Sequence, residues 1–367
     1  MQERITVPPP WGDLDRKTEL LRQAAVGADC DTLILTKQSS ISWLLGARSH
    51  VPNTLDSTCF DVVVEATGAL RVVVNRIEAP RLRATELAGL PADFHVVEWW
   101  DDRKDRLPIG DRVATDAPSP GRRDLGEVVA QLRRQLLPAQ VDALQQVCRD
   151  AASASTRAAM MLRPSMTEYG AAAVLAQELL ADGMDPVVLL VAAGARAARD
   201  RHPLPTTGVI GERVMLVCCA RRHGLVASVT RHVSFVPVRA ADRDRYTRLL
   251  SVEAAFLEAT RPGQRLGDAF SAGIASYAEF GFNPSEWHAH HQGGLSGWEP
   301  REFPANPHSP HVVGRDNVVA WNPSADGWKV EDTCLVGTHG PQPLVEDEDW
   351  PTVMVGDRRR PDILELG

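Results

Sequence analysis

The sequence predicts an α+β protein in two parts, an N-terminal α/β domain over residues 1–137 and a larger catalytic domain over residues 138–367. Two observations carry that expectation. Across the N-terminal part, short β-rich runs alternate with segments of helical periodicity, the pattern of an α/β unit. From Pro138 the texture changes to two long alanine-rich helices, then paired strands and further helices. A chain of 367 residues, 44% of them hydrophobic, can bury a core in each part.

The elements follow in order. Leu14 to Ala25 has helical spacing of apolar residues, with Asp13 as its N-cap. Thr32 to Thr36 is a short buried strand, and Ser39 to Leu45 a helix that stops at Gly46. Phe60–Glu65 and Leu70–Asn75 form a hairpin across Ala66-Thr67-Gly68, and strands follow at His95–Glu98 and near Val113. Pro118, Pro120 and Gly121 punctuate the approach to the boundary. The two alanine-rich helices run over Ala139–Met161 and Thr167–Asp182, with a capping signal at Ser165 to Glu168. Val187–Val191 is a strand. Val214–Cys219 and Leu225–Phe235 pair across Arg221-Arg222-His223-Gly224. Helices at Ala240–Thr260 and Leu266–Phe280 come next. Glu346–Asp349 and Arg358–Arg360 in the tail read as a solvated charge run.

Composition excludes several classes of function. A formal charge of −8, with both signs spread along the chain, argues against a nucleic-acid surface or an anionic membrane as partner. The six cysteines are scattered without a CxxC pair, the usage of reduced thiols in the cytosol. Met1 to Gly12 is polar and then proline-rich, unlike a signal peptide, and no apolar run reaches transmembrane length. A cytoplasmic protein is expected.

The chemistry concentrates between His288 and Leu335. His288, His290 and His291 fall within four residues, followed by Gly293-Gly294, and the stretch closes on Lys329-Val330-Glu331-Asp332-Thr333. Imidazole titrates near neutrality and can donate, accept or ligate, so clustered histidine marks chemistry. Adjacent glycines let the backbone approach a ligand closely. His288, His290 and His291 with Cys218 or Cys219 are suitable ligand types for zinc, but histidines at i, i+2 and i+3 share no face of a regular element.

The order of motifs resembles the creatinase, aminopeptidase P and prolidase group, over nearly the whole chain. Leu33-Ile34-Leu35-Thr36 and Trp43-Leu44-Leu45-Gly46 are similar to the opening of its N-terminal domain. Arg201-His202-Pro203-Leu204-Pro205 resembles the segment with a substrate-facing histidine, and Ser228-Val229-Thr230-Arg231 the end of a metal-ligand hairpin. His291-Gln292-Gly293-Gly294-Leu295 resembles the group's His-Gly-x-Gly turn, and Glu331-Asp332-Thr333 its last metal-binding glutamate. The resemblance implies a pita-bread catalytic domain behind a creatinase-like α/β domain.

It also implies what is missing. Peptidases of the group bind two metal ions through two aspartates, a histidine and two glutamates. Here the first aspartate falls at Val217 or Cys218, the second at Ser228, and the first glutamate at Asn322; only His291 and Glu331 survive. Two divalent cations need more anionic oxygen than one carboxylate supplies. No metal and no cofactor are therefore expected. The implied precedent is creatinase, which hydrolyses a carbon–nitrogen bond without metal. His202 becomes the expected general acid/base, working near neutral pH, with His291 and Glu331 in catalytic roles. His290, His288, Asn322, Glu302, Ser228, Arg48 and His50 would face a small amino-acid-derived substrate. Glu299 is an alternative to Glu302 for the Glu-x-Pro element, and Arg231 is expected to be a structural ion-pair partner.

The resemblance further implies a homodimer, in which Arg48 and His50 reach the partner's pocket. Elimination is an alternative to hydrolysis. A metal-dependent Xaa-Pro aminopeptidase or dipeptidase is a rival, disfavoured by the lost carboxylates. A non-catalytic binding protein is another, disfavoured by enrichment rather than decay of the histidines.

Overall fold

The structure, a computed structural model, describes residues 13–49 and 57–367. The chain divides into two compact units, Met1–Ala143 and Leu144–Gly367.

The first unit contains α1 (Leu14–Gly27), β1 (Thr32–Lys37), α2 (Gln38–Leu45), β2 (Ser57–Glu65), β3 (Leu70–Asn75), α3 (Ala79–Ala84), β4 (Ala92–Val97), β5 (Val113–Thr115), β6 (Arg123–Asp124) and α4 (Gly126–Arg134). Its mixed sheet has the order β4-β3-β2-β1-β5-β6. The β1–β2–β3 neighbours are antiparallel, and β4, β5 and β6 add in parallel. Strands β1, β2 and β3 are buried β-branched runs, and Ile34, Val63 and Val73 stack as one small core with Val97, Leu107 and Val113. Gly46 ends α2 in the left-handed region at φ 61°, as its position predicts. Asp13 occupies the N-cap of α1, but its side chain accepts no capping hydrogen bond.

The second unit starts within α5 (Pro138–Met161) and continues through α6 (Glu168–Ala181), β7 (Asp185–Ala193), α7 (Ala195–Arg199), β8 (Arg213–Arg222), β9 (Leu225–Ser234), α8 (Ala240–Ala259) and α9 (Leu266–Glu279). Short strands follow: β10 (Gly293–Ser296), β11 (Phe303–Pro304), β12 (Val318–Trp321), β13 (Ser324–Ala325), β14 (Trp328–Lys329), β15 (Cys334–Gly337), β16 (Gly340–Pro343), β17 (Thr352–Val355), β18 (Arg358–Pro361) and β19 (Leu364–Glu365). Two sheets dominate, β19-β9-β8-β7 and β11-β10-β12-β15-β16, antiparallel throughout except where β19 joins β9. The β8–β9 turn needs only His223 and Gly224, both at positive φ (53° and 86°), the pair of left-handed residues that a two-residue hairpin demands.

Helices α8 and α9 cover the second sheet. Phe256 stacks on Trp321 with ring centroids 4.7 Å apart, and the Trp321 indole donates to Thr260 Oγ1 at 3.0 Å. Gly273 of α9 lies so close to Phe256 that an added Cβ would meet its ring at 2.1 Å. A residue any larger would push the two helices apart.

Two expectations from sequence are corrected. The cap of α6 is Thr167, whose side chain accepts from the Gly170 N–H at 3.1 Å, not Ser165. The basic end of the tail is no solvated run. Arg358–Pro361 pairs with Thr352–Val355, and Arg360 is buried with a bidentate bond to the buried Glu253 at 2.7 and 2.6 Å. A guanidinium can be buried where its fork is matched by carboxylates, and Asp332 adds a second, 3.1 Å away.

Candidate active site

Three backbone features bring the site together. Segment 331–333 lies against β9: Thr230 N–H donates to Glu331 O at 2.8 Å, Thr333 N–H to Ser228 O at 3.1 Å, and Val229 bridges Asp332. Strand β10 is held between β11 and β12 by Gly293 and Gly294, at φ 102° and 147°. A Cβ on Gly293 would stand 2.1 Å from Ala320 O, and one on Gly294 2.6 Å from Phe303 O. The double glycine is thus explained by strand crowding, and it fixes where His290 and His291 stand. The third feature is the loop after α7, which delivers His202.

His202 and His290 face each other through their Nε2 atoms at 3.1 Å. His291 completes the group, its ring centroid 4.5 Å from that of His290 and 5.3 Å from that of His202. Each imidazole offers one nitrogen, and the three nitrogens lie within 4.8 Å of one another. His202 is exposed, His290 buried and His291 half-buried; the Nδ1 atoms of His290 and His291 are buried without a hydrogen-bond partner among the described residues.

Burial and the nearby cations disfavour the charged form of all three rings. Burial lowers His202 below the ordinary histidine range, and Lys329 and Arg301 add to the effect against the opposing pull of Glu331. Burial, then Lys329, takes His290 down to about 2. Burial, then Arg301, takes His291 to about 4. The arginines around His202 do not leave its loop electropositive, because each is paired with a carboxylate. Arg196 pairs with Glu168, Arg199 with Asp200, and Arg201 with Glu286.

Beside the histidines sits a charge group that the sequence motifs did not foretell. Glu331 is buried, and Lys329 Nζ reaches its Oε2 at 2.7 Å while Arg301 bonds its Oε1. Burial alone would raise this carboxyl, but the two cations overcome it and hold it at about 2. Lys329 precedes Glu331 by two, the spacing that puts extended residues on one face, so this half of the group had a signal in the sequence. Arg301 had none beyond adjoining Glu302. Thr230, not singled out from the sequence, has a buried Oγ1 with no hydrogen-bond partner among the described residues.

The other expected residues are distributed unevenly. Ser228 is fully buried, its Oγ 3.4 Å from Cys219 Sγ and 3.5 Å from Arg301 Nη1. Asn322 is buried with Oδ1 unpartnered. Cys218 turns away, its sulfur 3.9 Å from Ser155 Oγ, so by alternation Val217 is the residue on the Ser228 face. Val217 packs in an apolar cluster with Leu190, Ala192 and Met215. Glu302 is half-buried, and its N–H bonds Leu295 O at 2.9 Å. His288 is exposed and stacks on Trp287, ring centroids 3.7 Å apart, outside the histidine cluster. Arg48 is ion-paired with Glu86 at 2.9 Å, and His50 lies outside the described residues. Arg231 pairs with Asp332 at 2.7 Å, both buried, in the structural role expected of it.

A two-metal centre does not fit this set. The one carboxylate at the expected ligand positions already carries two side-chain cations. Its neighbours there are a serine hydroxyl, a carboxamide and a valine. Adding two divalent ions beside Lys329 and Arg301 would crowd like charge where little anionic oxygen offsets it.

Comparison with known proteins agrees with the architecture. Similar solved structures include the prolidase from Pyrococcus horikoshii (TM-score 0.76, 16% identity, covering 91% of this chain and 99% of that one). The dipeptidase PepE from Mycobacterium ulcerans is similar at TM-score 0.74 and 19% identity, covering 96% and 99%. The N-terminal domain of the FACT complex subunit SPT16 from chickpea shares the fold at TM-score 0.65 and 11% identity, covering 91% and 97%. No curated protein matches. Among the described residues no helix is long and apolar enough to cross a membrane. The profile of metallopeptidase family M24 matches residues 142–338, the stretch that holds every element of the site, and the chain belongs to that family.

Proposed function

We propose that this chain hydrolyses a carbon–nitrogen bond in a small amino-acid-derived substrate without the two-metal centre of its family. The observation that carries the reading is the charge group on Glu331. Where two metal ions would need open carboxylates, Lys329 and Arg301 share one buried carboxylate. Two cations on one anion leave one positive charge facing the histidines, which favours a substrate bearing a carboxylate.

His202 suits the proton-carrying role. It is neutral near pH 7, exposed at the mouth of the cluster, and hydrogen-bonded to His290. In the hydrolytic step a water oxygen bonds to the electrophilic carbon while its proton passes to His202. The resulting oxyanion would lie in the field of Lys329 and Arg301. The carbon–nitrogen bond then breaks as His202 returns that proton to the leaving nitrogen. Asn322 Oδ1 and Thr230 Oγ1, buried and unpartnered among the described residues, are available to accept or exchange hydrogen bonds with the substrate.

The test is turnover of a panel of N-acyl, amidino and ureido amino acids by purified protein, assayed with and without a strong chelator. Release of amine or ammonia that survives chelation supports the reading. Activity that chelator abolishes and Mn²⁺ or Co²⁺ restores would overturn it.

A further inference from the structure

We propose that His202, His290 and His291 together bind one exchangeable zinc-class divalent ion, and that this ion switches the site off. The ligand set differs from that of the family's two-metal centre and shares only His291 with it. His202 and His290 come from segments 88 residues apart, so the cluster is made by the fold and not by the His-rich run.

The geometry is close to what a tetrahedral ion requires. With metal–nitrogen bonds of about 2.0–2.1 Å, two imidazole nitrogens on one ion stand roughly 3.4 Å apart. The His202 and His290 Nε2 atoms are already at 3.1 Å, and all three nitrogens lie within 4.8 Å. The cluster thus stands near ligating distances, and the exposed His202 is its most adjustable member. The buried Nδ1 atoms of His290 and His291 have no hydrogen-bond partner among the described residues. On His291 an orphaned buried nitrogen is costly in a merely structural cluster and leaves that ring free to take a ligand.

The proton balance closes without an outside acid or base. In the metal-free cluster one of the two facing Nε2 atoms holds the hydrogen between them. When the ion takes both Nε2 lone pairs, that hydrogen moves to Nδ1 of the same ring. His202 can carry it there at little cost, because its ring is exposed to water. The fourth position is left for water. Lys329 and Arg301, close by, oppose a second positive centre and Glu331 offsets only one of them. An exchangeable ion, not a resident one, follows from that balance.

Inhibition rests on the proposed role of His202 as proton carrier, since a metal-bound lone pair cannot accept a proton; the binding itself does not rest on it. The test therefore reads binding first. Chelator-treated full-length protein is titrated with Zn²⁺ by calorimetry and with Co²⁺ by visible absorption. Expected are one ion per chain and the intense d–d bands of a low-symmetry Co²⁺ site. His202→Asn, His290→Asn and His291→Asn should each weaken binding by more than the roughly 10–100-fold lost with an outer-sphere partner. His339→Asn, outside the cluster, should not. His202 is exposed, so its variant stays interpretable if a buried one fails to fold. No saturable ion uptake by wild type, or uptake that His202→Asn leaves unchanged, overturns the site. If the site binds and a substrate is found, Zn²⁺ should inhibit with the midpoint seen in the titration. Binding without inhibition would remove the switch and leave the site standing, whereas binding with no substrate found would count against the hydrolytic reading alone.

Discussion

Lys329 Nζ lies 2.7 Å from Glu331 Oε2, and Arg301 closes on the other oxygen of the same carboxylate. Glu331 is the residue that the resemblance matches to the family's last metal-binding glutamate, and here each of its carboxylate oxygens is taken by a cation. Its partners are interdependent. Taking away the shared anion leaves two cations, one of them deeply buried, with nothing to offset them.

Glu331→Gln is therefore expected to cost about 3–5 kcal/mol of stability, the penalty for breaking a buried ion pair from one side. Lys329→Met leaves the Arg301–Glu331 pair in place and should cost less. Urea unfolding of the two variants and wild type measures both. Equal midpoints for Glu331→Gln and wild type would mean that the triad is not formed in solution.

Restoring carboxylates tests the assignment of ligand positions. Ser228→Asp with Asn322→Glu brings two anionic groups toward Glu331 and His291. Their combination should raise affinity for Mn²⁺, an ion that prefers oxygen ligands and discriminates against a three-histidine site. Adding Lys329→Met to the pair should raise it further by removing a competing cation. Calorimetric titration with no gain in either variant would mean that Ser228 and Asn322 do not stand at the ligand positions.

His202→Asn keeps a polar group but removes the titrating ring. With a substrate in hand, turnover should fall by roughly two to four orders of magnitude. Because His202 is exposed, the melting temperature should barely move. Near-normal turnover would transfer the chemistry to His290 or His291.

Much of this site was legible in the chain, and the reasons for the rest are physical. Local rules worked where local geometry decides: a turn within Arg221-Arg222-His223-Gly224 and Gly46 as a helix stop, whereas the double glycine, read as room for a ligand, serves close strand packing. Expectations failed where a partner lies far along the chain. Arg360 looked solvated because its partners, Glu253 and Asp332, are 107 and 28 residues away. Arg301 meets Glu331 only because β11 and the 331–333 segment are both drawn onto neighbouring strands. His288 seemed the natural companion of His290 and His291, yet the third ring of the cluster is His202 from another loop. Spacing of i, i+2 and i+3 had already argued against the contiguous trio.

The last prediction concerns stability in acid, and it turns on His232, which takes no part in the site. Its ring is fully buried, packed against Trp328 and Tyr246, with Nε2 2.9 Å from Lys329 O. Burial, reinforced by Arg213, lowers it to about 3. The sign follows from where protons bind. Below the ordinary histidine value of roughly 6.5 the unfolded chain takes up a proton that the native ring refuses, so stability falls with pH until about 3. His290 and His291 act in the same sense, down to about 2 and about 4. Glu331, held at about 2, adds a further loss below the ordinary carboxylate range as it is protonated. Replacing His232 with Gln keeps a polar group near the Lys329 backbone and removes one of these linked protons. The slope of unfolding free energy against pH, measured by urea between about pH 6 and pH 4, should then be shallower by about 1.4 kcal/mol per pH unit. Parallel slopes for the variant and wild type would mean that His232 titrates alike in both states, and that the acid lability comes from the site histidines instead.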